Sequence, residues 1–205
     1  MKLIAAFTCV VMSSIFYADI PLDDGRVGRA EYVSSLIKPG DVGIEIGVYE
    51  GQFSYHVLLQ NAPSKLYLVD PWQYGLQKDQ EVDPTPEKQK IRDAQYEKVC
   101  DYFAPYENVE IIRMKSEDAF SMFSDEYFDY VYIDGEHSYD AVTRDLTNYF
   151  FKVKVGGYLI GDGYGWVGVA SAVQDFLKVH QKDCLFLVDP FLGLSGGQFA
   201  VKRIK

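Results

Sequence analysis

Apolar positions in this chain switch between two spacings, and the switches mark out the elements. From Asp24 to Ile37 the apolar residues Val27, Ala30, Val33 and Ile37 recur every three or four positions, which predicts a helix stopped by Lys38-Pro39-Gly40. A short apolar run, Val42 to Val48, then predicts a strand. Helical spacing returns over Gly51 to Gln60, and KLYLVD, Lys65 to Asp70, predicts a buried strand closed by Pro71-Trp72. Gln73 to Pro84 is polar and aperiodic, hence a loop. Thr85-Pro86-Glu87 begins a helix running to about Tyr102, because threonine can cap, proline suits the first turn and a carboxylate suits the dipole.

The same alternation continues to the end. Val109 to Met114 predicts a strand, Ser116 to Phe123 a short helix, and Phe128 to Asp134 a fourth strand. Ser138 caps a helix whose apolar stripe is Val142, Leu146, Tyr149, Phe150 and Val153. Gly156-Gly157 turns into a fifth strand, Tyr158 to Gly161. Val169, Ala170, Val173, Phe176 and Leu177 line another helix, and Leu185 to Val188 and Gln198 to Ile204 are joined through a glycine-rich link. Seven strands alternating with helices call for an α/β fold with a parallel sheet. The short last connection calls for one antiparallel partner.

Composition narrows this. With 205 residues, 48% hydrophobic and 24% charged, one well-buried core is expected, over about residues 25–205. A formal charge of -10 without clustered Lys and Arg argues against nucleic acid as a partner. Cys9, Cys100 and Cys184 have no ligand spacing and read as small core residues. Residues 1–18 differ from the rest: Lys2 precedes an uncharged apolar run, Leu3 to Tyr17, with Phe16-Tyr17-Ala18 before the polar sequence. That is the layout of a signal peptide and too short for a comfortable membrane span; the alternative is a helix packed on the domain.

Chemistry-bearing residues gather at the predicted strand ends. Glu45, Gly47 and Gly51 form E-x-G-x-x-x-G between the first strand and the next helix, where backbone amides can approach a ligand with no Cβ intervening. Asp70 closes the second strand nineteen positions after Gly51, where an open α/β fold places the acid that takes ribose hydroxyls. Asp134 and Asp162 end the fourth and fifth strands. His137 stands three residues beyond Asp134 and reads either as a general base or as an orienting loop residue, whereas His56 and His180 fall on helices away from the cleft. Tyr139, Tyr164 and Trp166 offer walls for an acceptor or a face for a cationic ligand.

With these residues in view, residues 25–205 resemble a class I S-adenosylmethionine-dependent methyltransferase. FDYVYIDGEHSYDAVTRDL and VGGYLIGDGYGW resemble the small-molecule branch that includes macrocin O-methyltransferase-like enzymes. The resemblance implies a Rossmann-like three-layer sandwich of seven strands, the last antiparallel. It implies that Glu45, Gly47 and Gly51 wrap the methionine part of the cofactor, that Asp70 holds both ribose hydroxyls, and that Ser116 and Glu117 contact adenine. Ser116 and Glu117 also fit plain helix capping. Asp134 borders the cofactor and, in metal-dependent relatives, pairs with the acid after the fifth strand around a divalent ion, usually Mg²⁺. Here Asp162 is followed by Gly163 where a second aspartate stands in those relatives; Glu136 or His137 could complete the set, and His would favour another divalent metal. The reading is methyl transfer to an oxygen of a small-molecule acceptor, with His137 and Asp134 catalytic. Alternatives are a non-catalytic nucleotide-binding protein, a nicotinamide dehydrogenase, disfavoured by the missing G-x-G-x-x-G, and a hydroxylase related by fold. The leader implies export while the cofactor implies the cytoplasm; acceptor identity and oligomeric state are not encoded legibly.

Overall fold

A computed structural model of the protein describes residues 26–75, 85–188 and 197–205. The expected leader over 1–18, the Asp24 start of the first helix, most of the Gln73 to Pro84 loop and most of the link before Gln198 lie outside the described residues.

The chain runs α1 (Arg26–Leu36), β1 (Val42–Ile46), α2 (Gln52–Asn61), β2 (Lys65–Asp70), α3 (Pro86–Phe103), β3 (Val109–Arg113), α4 (Ser116–Ala119) and β4 (Phe128–Ile133). It continues with α5 (Tyr139–Phe150), β5 (Val153–Asp162), α6 (Val167–His180), β6 (Cys184–Val188) and β7 (Gln198–Arg203). One seven-stranded sheet results, in the order β3-β2-β1-β4-β5-β7-β6. All pairings are parallel except those of β7, which inserts antiparallel between β5 and β6. The parallel sheet with one antiparallel strand is what the periodicity called for, and the fold is the Rossmann-like sandwich that the resemblance implied. Strand order reverses between β1 and β4, and in such sheets the crevice beyond the carboxyl ends at that point takes ligands.

Period-two alternation sorts the strand side chains onto two covered faces, which is why the strands read as unbroken apolar runs. Tyr67, Val69, Val131 and Ile133 pack on one side with Leu146, Phe150 and Phe176 of α5 and α6. Leu66, Leu68, Tyr130 and Tyr132 pack on the other with Ala30, Val33, Val57 and Phe103 of α1, α2 and α3. The predicted caps form: the Lys88 amide donates to Thr85 Oγ1 at 3.4 Å, with Pro86 in the first turn, and the Ala141 amide donates to Ser138 Oγ at 3.4 Å. Among the described residues no helix is long and apolar enough to cross a membrane.

One boundary differs in an informative way. β5 begins at Val153, which the helical stripe had claimed, and Gly156-Gly157 lies inside it. Phe128 pairs with Val153 and Tyr130 with Tyr158, so β5 carries extra residues opposite β4 at that point. The glycines make this possible: Gly156 has φ 91°, and a side chain at Gly157 would overlap the Asp129 carbonyl.

Candidate active site at the carboxyl edge of the sheet

Two hollows open at the reversal point. The larger, about 370 Å³, is lined by Gly47, Tyr49, Asp70, Ser116, Glu117 and Asp145, with Asp134 and Gly135 at its side. Gly47 is required there, because its φ is 89° and a Cβ would overlap the Asp134 carbonyl. That close approach lets the turn after β1 pass against the end of β4, where the Asp134 amide donates to Ile46 O at 2.7 Å.

Asp70 clasps two turns. Its Oδ2 accepts the Val48 and Tyr49 amides, each at 3.0 Å, and its Oδ1 accepts the Trp72 amide at 2.7 Å. The Trp72 indole closes the clasp by donating to Tyr49 O at 2.8 Å. Tyr49 (φ 56°) and Trp72 (φ 41°) both hold left-handed backbone, a cost of about 1–3 kcal/mol each that surrounding contacts must offset. A carboxylate has about four acceptor positions, so this arrangement leaves about one for a ribose hydroxyl, where both hydroxyls had been assigned to it.

At the far end of the larger hollow, Ser116 sits in the first turn of α4, where no side-chain capping bond forms. Its hydroxyl donates to Asp145 Oδ1 at 2.6 Å, while Glu117 pairs with Arg144 at 3.1 Å. Asp145 projects from the buried face of α5, and burial, eased by the Ser116 hydroxyl, pushes its carboxyl up to about 6. Sequence reasoning missed Asp145. The available signal was a carboxylate in an apolar stripe, three residues after Val142 and beside Leu146.

The smaller hollow, about 270 Å³, shares Gly47, Tyr49 and Asp134 with the larger and adds Arg26, Arg29, Glu45, His137 and Asp162. Neighbouring register, Ile133 beside Gly161, brings Asp134 and Asp162 together as the strands end. Arg29 Nη1 lies 3.1 Å from Asp134 Oδ2 and 3.0 Å from Asp162 Oδ2. His137 Nε2 is 3.6 Å from Asp134 Oδ1, too long for a hydrogen bond, and it is buried without a hydrogen-bond partner among the described residues, as is Asp162 Oδ1. The His137 ring lies parallel to Trp166 and against Gly163, whose φ is 75° and whose Cβ would come within 2.7 Å of the ring.

Burial dominates the electrostatics here. It raises Asp134, helped by the Asp162 carboxylate and opposed by Arg29, up to about 7, and raises Asp162 against the same guanidinium. It lowers His137 below the usual imidazole value, so the ring is neutral at neutral pH. Glu45, buried at the end of β1 and facing Asp134 and Asp70, is raised well above the carboxylate range.

The predicted residues thus divide. Asp70, Ser116, Glu117, Gly47 and Asp134 meet around the larger hollow, whereas Glu45 lines the smaller one. Gly51 lines neither; its φ of 77° at the start of α2 and the Phe103 ring 3.0 Å from its would-be Cβ account for glycine there. Tyr164 packs on Phe186 and Phe199, and Tyr139 donates to Asp175, so neither joins the site. His56 and His180 lie outside both hollows. Arg29 was not foreseen, although it falls on the same helical face as Ala30 and Val33.

The metal implied by the resemblance meets an obstacle. Ligand atoms of Asp134, His137 and Asp162 lie within 4.8 Å of one another, but the Arg29 guanidinium contacts both aspartates. An ion about 2.1 Å from the two Oδ2 atoms would fall against Nη1, and one on the Oδ1 atoms would still face the guanidinium charge across the same carboxylates. With Arg29 in place the residues do not fit a divalent cation. The nucleoside cofactor does fit: the glycine floor at Gly47, the acceptor position on Asp70 and the paired Ser116-Asp145 line one connected crevice of suitable size.

Comparison with known proteins agrees with this geometry. The sequence matches the methyltransferase domain family over residues 44–164. No curated protein matches it. Among solved structures it is similar to an rRNA methylase from Streptococcus thermophilus, with 10% identity, a TM-score of 0.62 and coverage of 91% of this chain and 100% of that one. It is also similar to a putative methyltransferase from Streptococcus mutans in complex with SAH, at 12% identity, a TM-score of 0.61 and coverage of 90% and 100%. A putative caffeoyl-CoA O-methyltransferase from Staphylococcus aureus aligns at 15% identity, a TM-score of 0.59 and coverage of 95% and 90%. At these identities the structures establish the fold, and the family match over most of the chain establishes the kinship: the chain belongs to the class I S-adenosylmethionine-dependent methyltransferases.

Proposed function

We propose that this protein methylates an oxygen of a small-molecule acceptor, with His137 as general base. The observation that carries the reading is the junction of the two hollows at Gly47, Tyr49 and Asp134, with the unpartnered His137 Nε2 on the far side of that junction. When bound, S-adenosylmethionine supplies a methyl group on a positively charged sulfur. Asp70, Ser116, Glu117 and Asp145 would hold its nucleoside, and Glu45 and Asp134 would border its amino-acid end.

An oxygen nucleophile must shed a proton as it attacks, and a neutral amine need not. Neutral His137, held between Trp166 and Gly163, is placed to accept that proton at Nε2. Asp134 and Asp162 border the space in which the acceptor hydroxyl meets the base, and positioning supplies most of the rate in a direct transfer of this kind. The formal charge of -10 favours a small acceptor over a polyanion such as RNA.

Titration calorimetry with S-adenosylmethionine and with NAD on purified protein tests the cofactor; a preference for NAD would end the proposal. Transfer of labelled methyl to a panel of phenols, alcohols and amines tests the acceptor. His137→Ala is expected to lose turnover by about a hundredfold or more while keeping cofactor affinity. Full activity in that variant would reduce His137 to a structural residue.

A further inference from the structure

We infer that the Arg29 guanidinium stands where a divalent cation would otherwise bind, closing the Asp134–Asp162 pair to metal, and that removing it uncovers a cation site. The proposal goes beyond methyl transfer and does not depend on it.

The donor set is that of a metal site: two carboxylates and an imidazole, with ligand atoms all within 4.8 Å of one another. Two carboxylates with one imidazole can take a first-row divalent ion, and Mn²⁺, which favours the carboxylates, serves as the probe. Yet one nitrogen of Arg29 contacts both aspartates, at 3.1 and 3.0 Å, through their Oδ2 atoms, while Asp162 Oδ1 has no hydrogen-bond partner among the described residues. An ion about 2.1 Å from any of these carboxylate oxygens would lie close to a fixed positive charge already paired with the same two carboxylates, in a site where little water screens the repulsion.

Arg29 is delivered rigidly. Its neighbours on α1, Ala30 and Val33, are fully buried against α2 in the core under β1 and β4, so the helix cannot withdraw without opening that core. The side chain is only 15% exposed. A planar guanidinium is always charged and can pair with two carboxylates at once.

Gly163 sets which ligands an uncovered site would have. The position that would carry a third carboxylate has left-handed backbone and lies against the His137 ring, with the would-be Cβ 2.7 Å from Cδ2 and 2.8 Å from Nε2. An aspartate there would have to displace His137 and its stacking on Trp166. The pair therefore keeps two carboxylates, and an internal cation offsets them.

The test is Mn²⁺ binding followed by electron paramagnetic resonance, on full-length protein first stripped with chelator. Wild type and Asp162→Asn are expected to titrate alike into the millimolar range. Arg29→Met, which keeps the aliphatic stem, is expected to gain one site at least about a hundredfold tighter, because a unit charge at this distance acts strongly on a divalent ion. Adding Asp162→Asn to Arg29→Met should abolish the gain, and Arg29→Lys should stay closed. Wild-type uptake of one Mn²⁺ that Asp162→Asn removes would overturn the inference. So would an Arg29→Met protein with native circular dichroism that titrates like wild type; if that variant loses its fold, Arg29→Gln takes its place in the same comparison. Neither cofactor nor acceptor is present, so failure here leaves the methyltransferase reading standing.

Discussion

Replacing Asp70 by alanine removes an acceptor shared by two turns, and its cost can be worked from the three bonds it receives. The bond from the Tyr49 amide is exposed, and water replaces it at little cost. Those from Val48 and Trp72 are part-buried, at 3.0 and 2.7 Å. At about 1.5 kcal/mol for each bond to a charged acceptor, their loss costs about 3 kcal/mol. In a chain of this size that lowers the melting temperature by about 6–12 °C. The remaining acceptor position on the carboxylate, given to one ribose hydroxyl, contributes about 1.5–3 kcal/mol to binding, a tenfold to hundredfold change in affinity. Scanning calorimetry of the ligand-free protein reads the first effect, and isothermal titration with S-adenosylhomocysteine reads the second. An unchanged melting temperature would show that the left-handed turns at Tyr49 and Trp72 hold without the carboxylate. Unchanged affinity in a folded variant would remove Asp70 from the nucleoside site.

Two further substitutions probe the other hollow. Gly163→Ala places a β-carbon on a left-handed residue, at about 1–2 kcal/mol, and drives the His137 ring off Trp166; turnover should fall at least about tenfold with cofactor affinity kept, and an unaltered kcat would contradict the placement of His137. Asp134→Asn tests the buried pair through pH. Burial and Asp162 lift Asp134 to about 7, against about 3.9 in an unfolded chain, so the folded state binds that proton more tightly and loses stability as pH rises between those values. Asparagine does not titrate, so the variant should gain stability relative to wild type across that window in urea unfolding. A difference that stays flat with pH would refute the shift.

Much of the site was legible because strand ends in an open α/β sheet are legible. The apolar runs at Val42, Lys65 and Phe128 each terminate in an acid or a glycine, and parallel packing brings such ends to one edge. The element boundaries were read less well where a glycine pair could mean either a strand start or an irregularity within one, as at Gly156-Gly157. Gly51 was read as a ligand-contacting glycine because local pattern does not distinguish a residue that clears room for a cofactor from one that clears room for Phe103.

What the sequence determined by itself was the layered sheet, its one antiparallel strand and the row of carboxylates along the crevice, since periodicity and turn residues are local properties. Only the tertiary structure decided who partners those carboxylates. Arg29 reaches Asp134 across 105 positions of chain, and Ser116 meets Asp145 across 29. Such pairings follow from how α1 and α5 are seated on the sheet, and that is set by the summed packing of side chains far apart in the chain. The charge balance of the site, and with it the choice between a guanidinium and a metal ion, is settled at that level.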